Sequence, residues 1–581
     1  MKKTILLIFL LFLAISDVCA ADYYIAQSAA QSANGTSCVN AYAYTWFNTP
    51  SNWSSTTGTS GKISPGDTVH ICGTIYGPNT GNENILTFQG SGTSGNPITL
   101  LFESGAQLSA PSCMDGQGNN SGCLVMSTPS TPRSFITVDG GLNTPCGWNV
   151  ATNTSEGTCN GSIVNTQMGA GLAYDGGKTN AIALLNCTNC EVRNIGIYNM
   201  YQQTSGATTA NIGYDSCMVF SGTNILIHDS DMHDVGWCMW YLGSNGDSNI
   251  QIYNNNVYNT PHPFYWTSNL TSGTMSGGYI YGNYLHDFEN FDTSGCVYHI
   301  EGFHSSVNSG TTAFNDLYIY NNIINDSSAC LYGALYLSAT NSTGAFINNS
   351  SMFNNLIVTQ NGTMNQSGII DGGGNGNTAY NNTVINTIGP NSAGSGIHWS
   401  GISQNSYTFA FENNAVQGFD YLNGDDELNG TYNTGITADY NAYSGSPITG
   451  GPNGHVFGTF IPGANSNWSE YLTDAGSYGQ EQHSINTGLY SNGDCCTGTL
   501  GLDSNYIAVS SSATVGKGVN LSSLCIQNGG SLPNALCSDL AGTARPATGA
   551  WDIGAYSWQG GSVGPYTTGA GPVSQGAART W

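Results

Sequence analysis

The chain has 581 residues, a formal charge of −26 and only 8% charged residues, against about 25% in ordinary globular proteins. So acidic a surface excludes nucleic acid, which needs basic groups against its phosphates. It also disfavours polyanionic substrates unless a cation intervenes. The 78 glycines would fit disorder, but 39% hydrophobic residues in regular short runs argue for a folded chain.

Lys2 and Lys3 precede an apolar stretch from Ile5 to Ile15, and Val18-Cys19-Ala20 is a small-residue cleavage site. Residues 1–20 therefore read as a secretory signal peptide. The stretch is too short to span a bilayer well, and no later segment reads as a membrane span. The expected location is secreted or cell surface, and the lysine-led signal leans bacterial. Losing Cys19 leaves 16 of the 17 cysteines, and an even number in an exported chain favours disulfides. Cys113/Cys123, Cys146/Cys159 and Cys525/Cys537 are sensible local staples. Cys187-Thr188-Asn189-Cys190 has the spacing of half a zinc site. It lacks a second half and reads as a disulfide or buried thiols.

Residues 21–130 form an opening region. Pro65-Gly66-Asp67 is a turn before the alternating strand Thr68-Val69-His70-Ile71, and Asn96-Pro97 before Ile98–Phe102 repeats the pattern. Residues 131–420 carry a repeat. Eight segments overlay: Val192-Arg193-Asn194-Ile195, Ile227-His228-Asp229-Ser230, Ile252-Tyr253-Asn254-Asn255, Ile280-Tyr281-Gly282-Asn283, Ile319-Tyr320-Asn321-Asn322, Met352-Phe353-Asn354-Asn355, Ala379-Tyr380-Asn381-Asn382 and Phe411-Glu412-Asn413-Asn414. Their steps are 35, 25, 28, 39, 33, 27 and 32 residues, the irregular period of a solenoid. Alternating pairs such as Ile225/Ile227, Ile250/Ile252 and Leu317/Ile319 would point inward. Asn suits the corner after them because it tolerates left-handed backbone angles. Stacked Asn amides also bond along a solenoid axis. These asparagines read as structural.

The strings "PGDTVHICGTIYG" and "SGTSGNPITLLFESGAQL", the Asn-Asn coils and the closing "DLAGTARPATGAWDIGAYSW" (Asp539 to Trp558) together resemble secreted proteins of the pectate-lyase-like superfamily. The resemblance implies an all-β, right-handed parallel β-helix with loop insertions and a C-terminal closing segment. Residues 421–500 would be a loop-rich insertion, 501–558 closing coils and 559–581 a flexible Gly-rich tail. The superfamily includes lyases, hydrolases, esterases, epimerases and non-enzymatic adhesins. Its polygalacturonase pattern and an Arg-rich pectate-lyase pattern are both absent here.

Six of the ten histidines fall between residues 228 and 304, among carboxylates and Trp237, Trp240 and Trp266. His233-Asp234 and His286-Asp287 each sit six residues past an aligned Ile, which puts the two pairs two coils apart. Such a pair also simply ties a turn. If Gly295–Gly302 is extended, His299 and Glu301 share one face. The outward column would then hold Trp240, His299, Glu301, Tyr336, Asp371 and His398. With Trp237, Trp266 and Trp399 it would form a sugar-binding groove. Glu301 and Asp371 would be the two carboxyl groups that glycoside hydrolysis needs, with His299 assisting and His233 and His286 as second choices. β-Elimination on a uronate would instead use a histidine or tyrosine base and a cation, either Ca²⁺ or a basic residue such as Arg193. Asp229, Asp231 and Asp234 are an oxygen-rich cluster suited to Ca²⁺, against which stands a solvated acidic turn. No motif requires a cofactor. The leading expectation is an exported carbohydrate-active protein that binds and cleaves polysaccharide. The alternative is a non-catalytic surface adhesin for carbohydrate or cells. Nothing in the chain sets an oligomeric state.

Overall fold

A computed structural model describes residues 20–558, apart from 79–83, 114–119, 142–144, 170, 175–178, 204–214, 269–271, 292–294, 297–299, 308–310, 329, 340–345, 360–366, 388–394, 400–406, 420, 426–434, 446–467, 490 and 492–494. Residues 1–19 of the expected signal peptide, the tail after Trp558 and His299 thus lie outside the described residues.

The chain winds as a right-handed parallel β-helix. Each full coil contributes one strand to each of three stacked columns, here sheets I, II and III. Sheet I runs from Leu86–Thr87 to Tyr421–Asp425, sheet II from Asp22–Ala26 to Ile436–Asp439, and sheet III from Thr74–Tyr76 to Ile485–Asn486. The long strands Thr179–Arg193 and Asp215–His228 pass through I and II without a break. The eight aligned residues Val192, Ile227, Ile252, Ile280, Ile319, Met352, Ala379 and Phe411 are in direct register on sheet II. All belong to the buried core. Each coil buries its apolar residues only against the coils on either side, which is how a solenoid grows without a larger globular core.

The two corner residues that follow, polar on most coils, divide the work. The first member takes the left-handed turn, with φ of 56° at Asn194, 55° at Asn254, 53° at Asn321 and 54° at Asn354. The second member points inward and forms a ladder. Asn255, Asn283, Asn322, Asn355, Asn382 and Asn414 each donate from the backbone N–H and from Nδ2 to Oδ1 of the next asparagine, at 3.0–3.2 Å, ending on Asn441. The same Nδ2 groups donate back to the carbonyls of Ile227, Ile252, Ile280, Ile319, Met352 and Ala379. Ser230 and Ser484 close the ladder's ends.

The open ends of the core are covered. Phe47, Trp53 and Phe88 pack edge to face at the N-terminal end. Within the expected loop-rich region, helix α1 (Trp468–Ser477) sets Trp468, Tyr471 and Ala475 into the core beside Tyr443. Residues 501–558 add no further described coil. They strap the outside of sheet II, where Leu521, Leu536 and Trp551 cover Tyr320, Phe353 and Tyr380. Asn354 donates to the Ala535 and Ser538 carbonyls and accepts from buried Arg545; Asn413 exchanges two bonds with Val519. An aromatic outer column needs covering, and this segment supplies the cover.

All 16 cysteines between residues 20 and 558 are paired, as 38–72, 113–123, 146–159, 187–190, 217–238, 296–330, 495–496 and 525–537. The three expected local staples form, and Cys187–Cys190 is a disulfide. Such pairing fits an oxidising, extracellular compartment. Among the described residues no helix is long and apolar enough to cross a membrane.

The ladder makes a clear prediction. N322A removes the donor to the Ile280 carbonyl and strands the Asn283 amides. It should cost about 2–4 kcal/mol, read as a shift in the denaturation midpoint. N321G keeps the left-handed turn and should stay within about 0.5 kcal/mol of the parent. Equal losses in the two variants would contradict the division of labour between the paired residues.

Candidate functional site

Six consecutive strands of sheet I build the candidate site: β1 (Trp237–Gly243), β2 (His262–Ser268), β3 (Ile300–Val307), β4 (Leu331–Ala339), β5 (Ser367–Gly372) and β6 (Ser395–Trp399). Alternation sends Met239, Phe264, Phe303, Leu335, Ile369 and Ile397 into the core. The next residue of each strand faces out. The outward column therefore runs Trp240, Tyr265, His304, Tyr336, Ile370, His398, in direct register.

A second column lies three residues earlier. Trp237 pairs with His262, Glu301 N–H donates to the Pro261 carbonyl, and Glu301 pairs with Gly333. Strict alternation would turn these residues away from the first column. Instead the Trp237 ring lies 5.5 Å from that of Trp240 and 4.0 Å from Tyr265, and His262 lies 5.8 Å from Tyr265. On β3 the register against β4 shifts between Ile300 and Glu301, an irregularity of the kind that re-aims a side chain. Gly302 makes the adjoining close approach, since a Cβ there would sit 2.6 Å from the Ala334 carbonyl oxygen.

The two columns bring His262, Glu301 and His304 together. Glu301 Oε2 is 2.9 Å from His262 Nδ1 and 3.7 Å from His304 Nδ1, with side-chain exposures of 0%, 7% and 10% for Glu301, His262 and His304. The His304 ring stacks on Tyr336 at 5.0 Å and meets Tyr265 at 5.3 Å; His262 meets Trp237 edge-on at 5.9 Å. Trp237, Tyr265 and Tyr336 remain partly exposed. The result is a buried carboxylate between two imidazoles, beneath three partly exposed rings. No Lys or Arg occurs between Arg193 and Lys517, so the strands that build this centre carry no permanently cationic side chain.

Several sequence expectations land here and several do not. Glu301, Trp237, Trp240, Tyr336 and His398 lie on this outer face. Tyr265 completes the face, and His262 and His304 come from the histidine-rich stretch, where no motif marks them. Asp371 points the other way. It is in register with the core residues Leu337 and Trp399 and is fully buried, where it accepts a bond from Asn377 Nδ2 at 2.9 Å. It also sits four residues further along its strand than the register position of Glu301 and two coils away. That makes roughly 16 Å between backbones at about 3.3 Å per residue and 4.8 Å per coil, too far to flank one glycosidic bond with Glu301. Trp266 and Trp399 are core residues too; Trp266 packs on Tyr241 at 4.2 Å. Neither ring reaches the expected groove.

His233 and His286 belong to sheet III, where they stack on either side of Tyr258 two coils apart. Each Nδ1 is tied to the next residue's carboxylate, Asp234 at 2.6 Å and Asp287 at 2.7 Å. Both aspartates sit at left-handed corners, with φ of 55° and 48°, so the His-Asp pairs fasten turns. The three aspartates expected as a Ca²⁺ cluster are spread out. Asp229 and Asp234 occupy corners at opposite ends of the strand Asp231–Val235, about 16 Å of extended chain. Asp229 binds His228, Asp231 accepts from Asn256, and Asp234 binds His233. Among the described residues, the one group of three or more ligating side chains with converging donor atoms is His262, Glu301 and His304.

No family model matches the chain, and no curated protein matches it. Solved structures similar to it include pectate lyase Pel9A, at 13% identity over 94% of this chain and 98% of that one, TM-score 0.38. PfbA, a surface adhesin of Streptococcus pneumoniae, follows at 12% over 69% and 82%, TM-score 0.36. A GH136 lacto-N-biosidase from Eubacterium ramulus stands at 12% over 68% and 64%, TM-score 0.32. At such identity and score none of them assigns an activity to this chain. The fold rests on the register of its own strands.

Asp371 yields a pH prediction. Burial pushes its carboxyl up to about 7, against the lowering effect of the Asn377 and Gly373 hydrogen bonds. The folded state then favours the protonated acid. The fold loses stability as pH climbs from about 4, where the unfolded acid ionises, to about 7. D371N has no such loss, so its urea midpoint relative to the parent should rise between pH 4 and pH 7.5. A pH-independent difference would contradict the buried, inward placement.

Proposed function

We propose that this is an exported carbohydrate-active protein, directed out of the cell by its N-terminal leader, that binds a polysaccharide along the outer face of sheet I and cleaves it there. The observation that carries this reading is the buried His262–Glu301–His304 centre beneath Trp237, Tyr265 and Tyr336. Aromatic faces take the apolar faces of sugar rings, and a desolvated acid between imidazoles is suited to proton transfer. The non-catalytic adhesin reading gives no role to such a buried centre.

Among the described residues the centre contains one carboxylate, Glu301, and the expected second one, Asp371, faces the core. This favours β-elimination on a uronate over two-carboxylate hydrolysis. In that reaction a base takes the proton beside the sugar carboxylate and the glycosidic C–O bond breaks. A double bond forms in the ring, and the departing oxygen gains a proton. Tyr336, stacked on His304, is the proton-transfer group, and the His262–Glu301–His304 centre lies beside it to meet the sugar carboxylate.

The test is incubation of the mature protein with a panel of neutral and uronic polysaccharides. Uronic glycans should yield products with the ultraviolet absorbance of an unsaturated uronate. Y336F should lower that rate by about 100-fold or more, while W237A should chiefly weaken retention on the glycan. New reducing ends without the unsaturated product would mean hydrolysis and overturn the elimination. Retention on a glycan with no product at all would remove the enzymatic reading and leave the adhesin.

A further inference from the structure

We propose that His262, Glu301 and His304 are the protein ligands of one divalent transition-metal ion of the Zn²⁺ type. The inference concerns the donor set and does not depend on the glycan reading.

The geometry comes first. One donor atom from each side chain lies within 4.8 Å of the others. Two donors bound about 2.1 Å from a tetrahedral ion stand about 3.4 Å apart. The Glu301 Oε2 distances of 2.9 Å to His262 Nδ1 and 3.7 Å to His304 Nδ1 straddle that value. Small side-chain rotations therefore seat an ion with no movement of the strands.

Charge points the same way. Glu301 is wholly buried, and no Lys or Arg occurs between Arg193 and Lys517. A divalent ion on one carboxylate and two neutral imidazoles leaves a net charge of about +1. That would be a fixed cation in a part of the chain with no permanent one. It would let so acidic a protein hold an anionic sugar.

The surroundings are rigid and apolar. β2 and β3 are adjacent coils in fixed register. The disulfide Cys296–Cys330 joins the approaches to β3 and β4. Rings of Trp237, Tyr265 and Tyr336 pack on the imidazoles. Donor chemistry then selects the ion, since imidazole nitrogen suits zinc and its neighbours whereas Ca²⁺ and Mg²⁺ take oxygen. Three protein ligands also leave one coordination position open, as in catalytic zinc sites.

The experiment loads the mature protein with Zn²⁺, dialyses it against metal-free buffer and measures retained metal and the zinc X-ray absorption spectrum. The expected result is one zinc per chain, with two imidazole nitrogens and a carboxylate oxygen at about 2.0–2.2 Å. E301Q and H304A should lose it. H233A should keep it, and a large excess of Ca²⁺ should not displace it. If the E301Q or H304A protein does not fold, the wild-type spectrum decides alone. Zinc retention no greater than in E301Q, displacement by Ca²⁺, or a spectrum without two imidazoles would overturn the proposal. Glycan cleavage that persists without metal would separate its failure from that of the glycan reading.

Discussion

The corner between sheets II and III is the constraint on which this molecule depends. At each turn the backbone reverses while its peptide groups are out of water, and buried amides and carbonyls must find partners. From Asn255 to Asn441 an inward asparagine answers this on each coil, by bonding both its own coil and the next. Because every rung fastens two coils, the register of the coils between Ser230 and Ser484 follows. Loops between rungs can vary in length without disturbing it, and the repeat steps accordingly range from 25 to 39 residues.

Fixed register is what lets coils share a site. Tyr265, His304 and Tyr336 lie on three successive strands of sheet I, and Trp237, His262 and Glu301 sit three residues ahead of that column. A two-column array results, with a carboxylate and two imidazoles at its centre. Sheet III carries histidines as well, but there each is bonded to the aspartate of the following corner. The two faces use the same residue types differently. One ties turns, and the other gathers ionisable groups against a single buried acid.

The fold was legible because each corner poses the same demand, so the same residues recur; all eight aligned residues prove to be neighbours. The site was legible only as a region. Enrichment in histidine pointed to the right coils, but aligning Glu301 with Tyr336 and Asp371 failed, because Glu301 is in register with Gly333 while Tyr336 pairs with His304 and Ile370. In Gly368-Ile369-Ile370-Asp371 two equal apolar residues leave the inward one undetermined, and Asp371 turned out to be inward. A signal was present: Trp237/Trp240, His262/Tyr265 and Glu301/His304 repeat a three-residue spacing on successive coils. Reading it required knowing that two residues an odd step apart can gather on one face, against strict alternation. Likewise Asp229 and Asp234 are close in sequence yet are held apart by a full strand, which spacing alone does not reveal.

The most direct test of the account is a crystal structure of the protein soaked with a uronic oligosaccharide. The account predicts sugar density across Trp237, Tyr265 and Tyr336, with one sugar against the His262–Glu301–His304 centre. Sugar bound instead along the Tyr198–His233–Tyr258–His286 column of sheet III would contradict it.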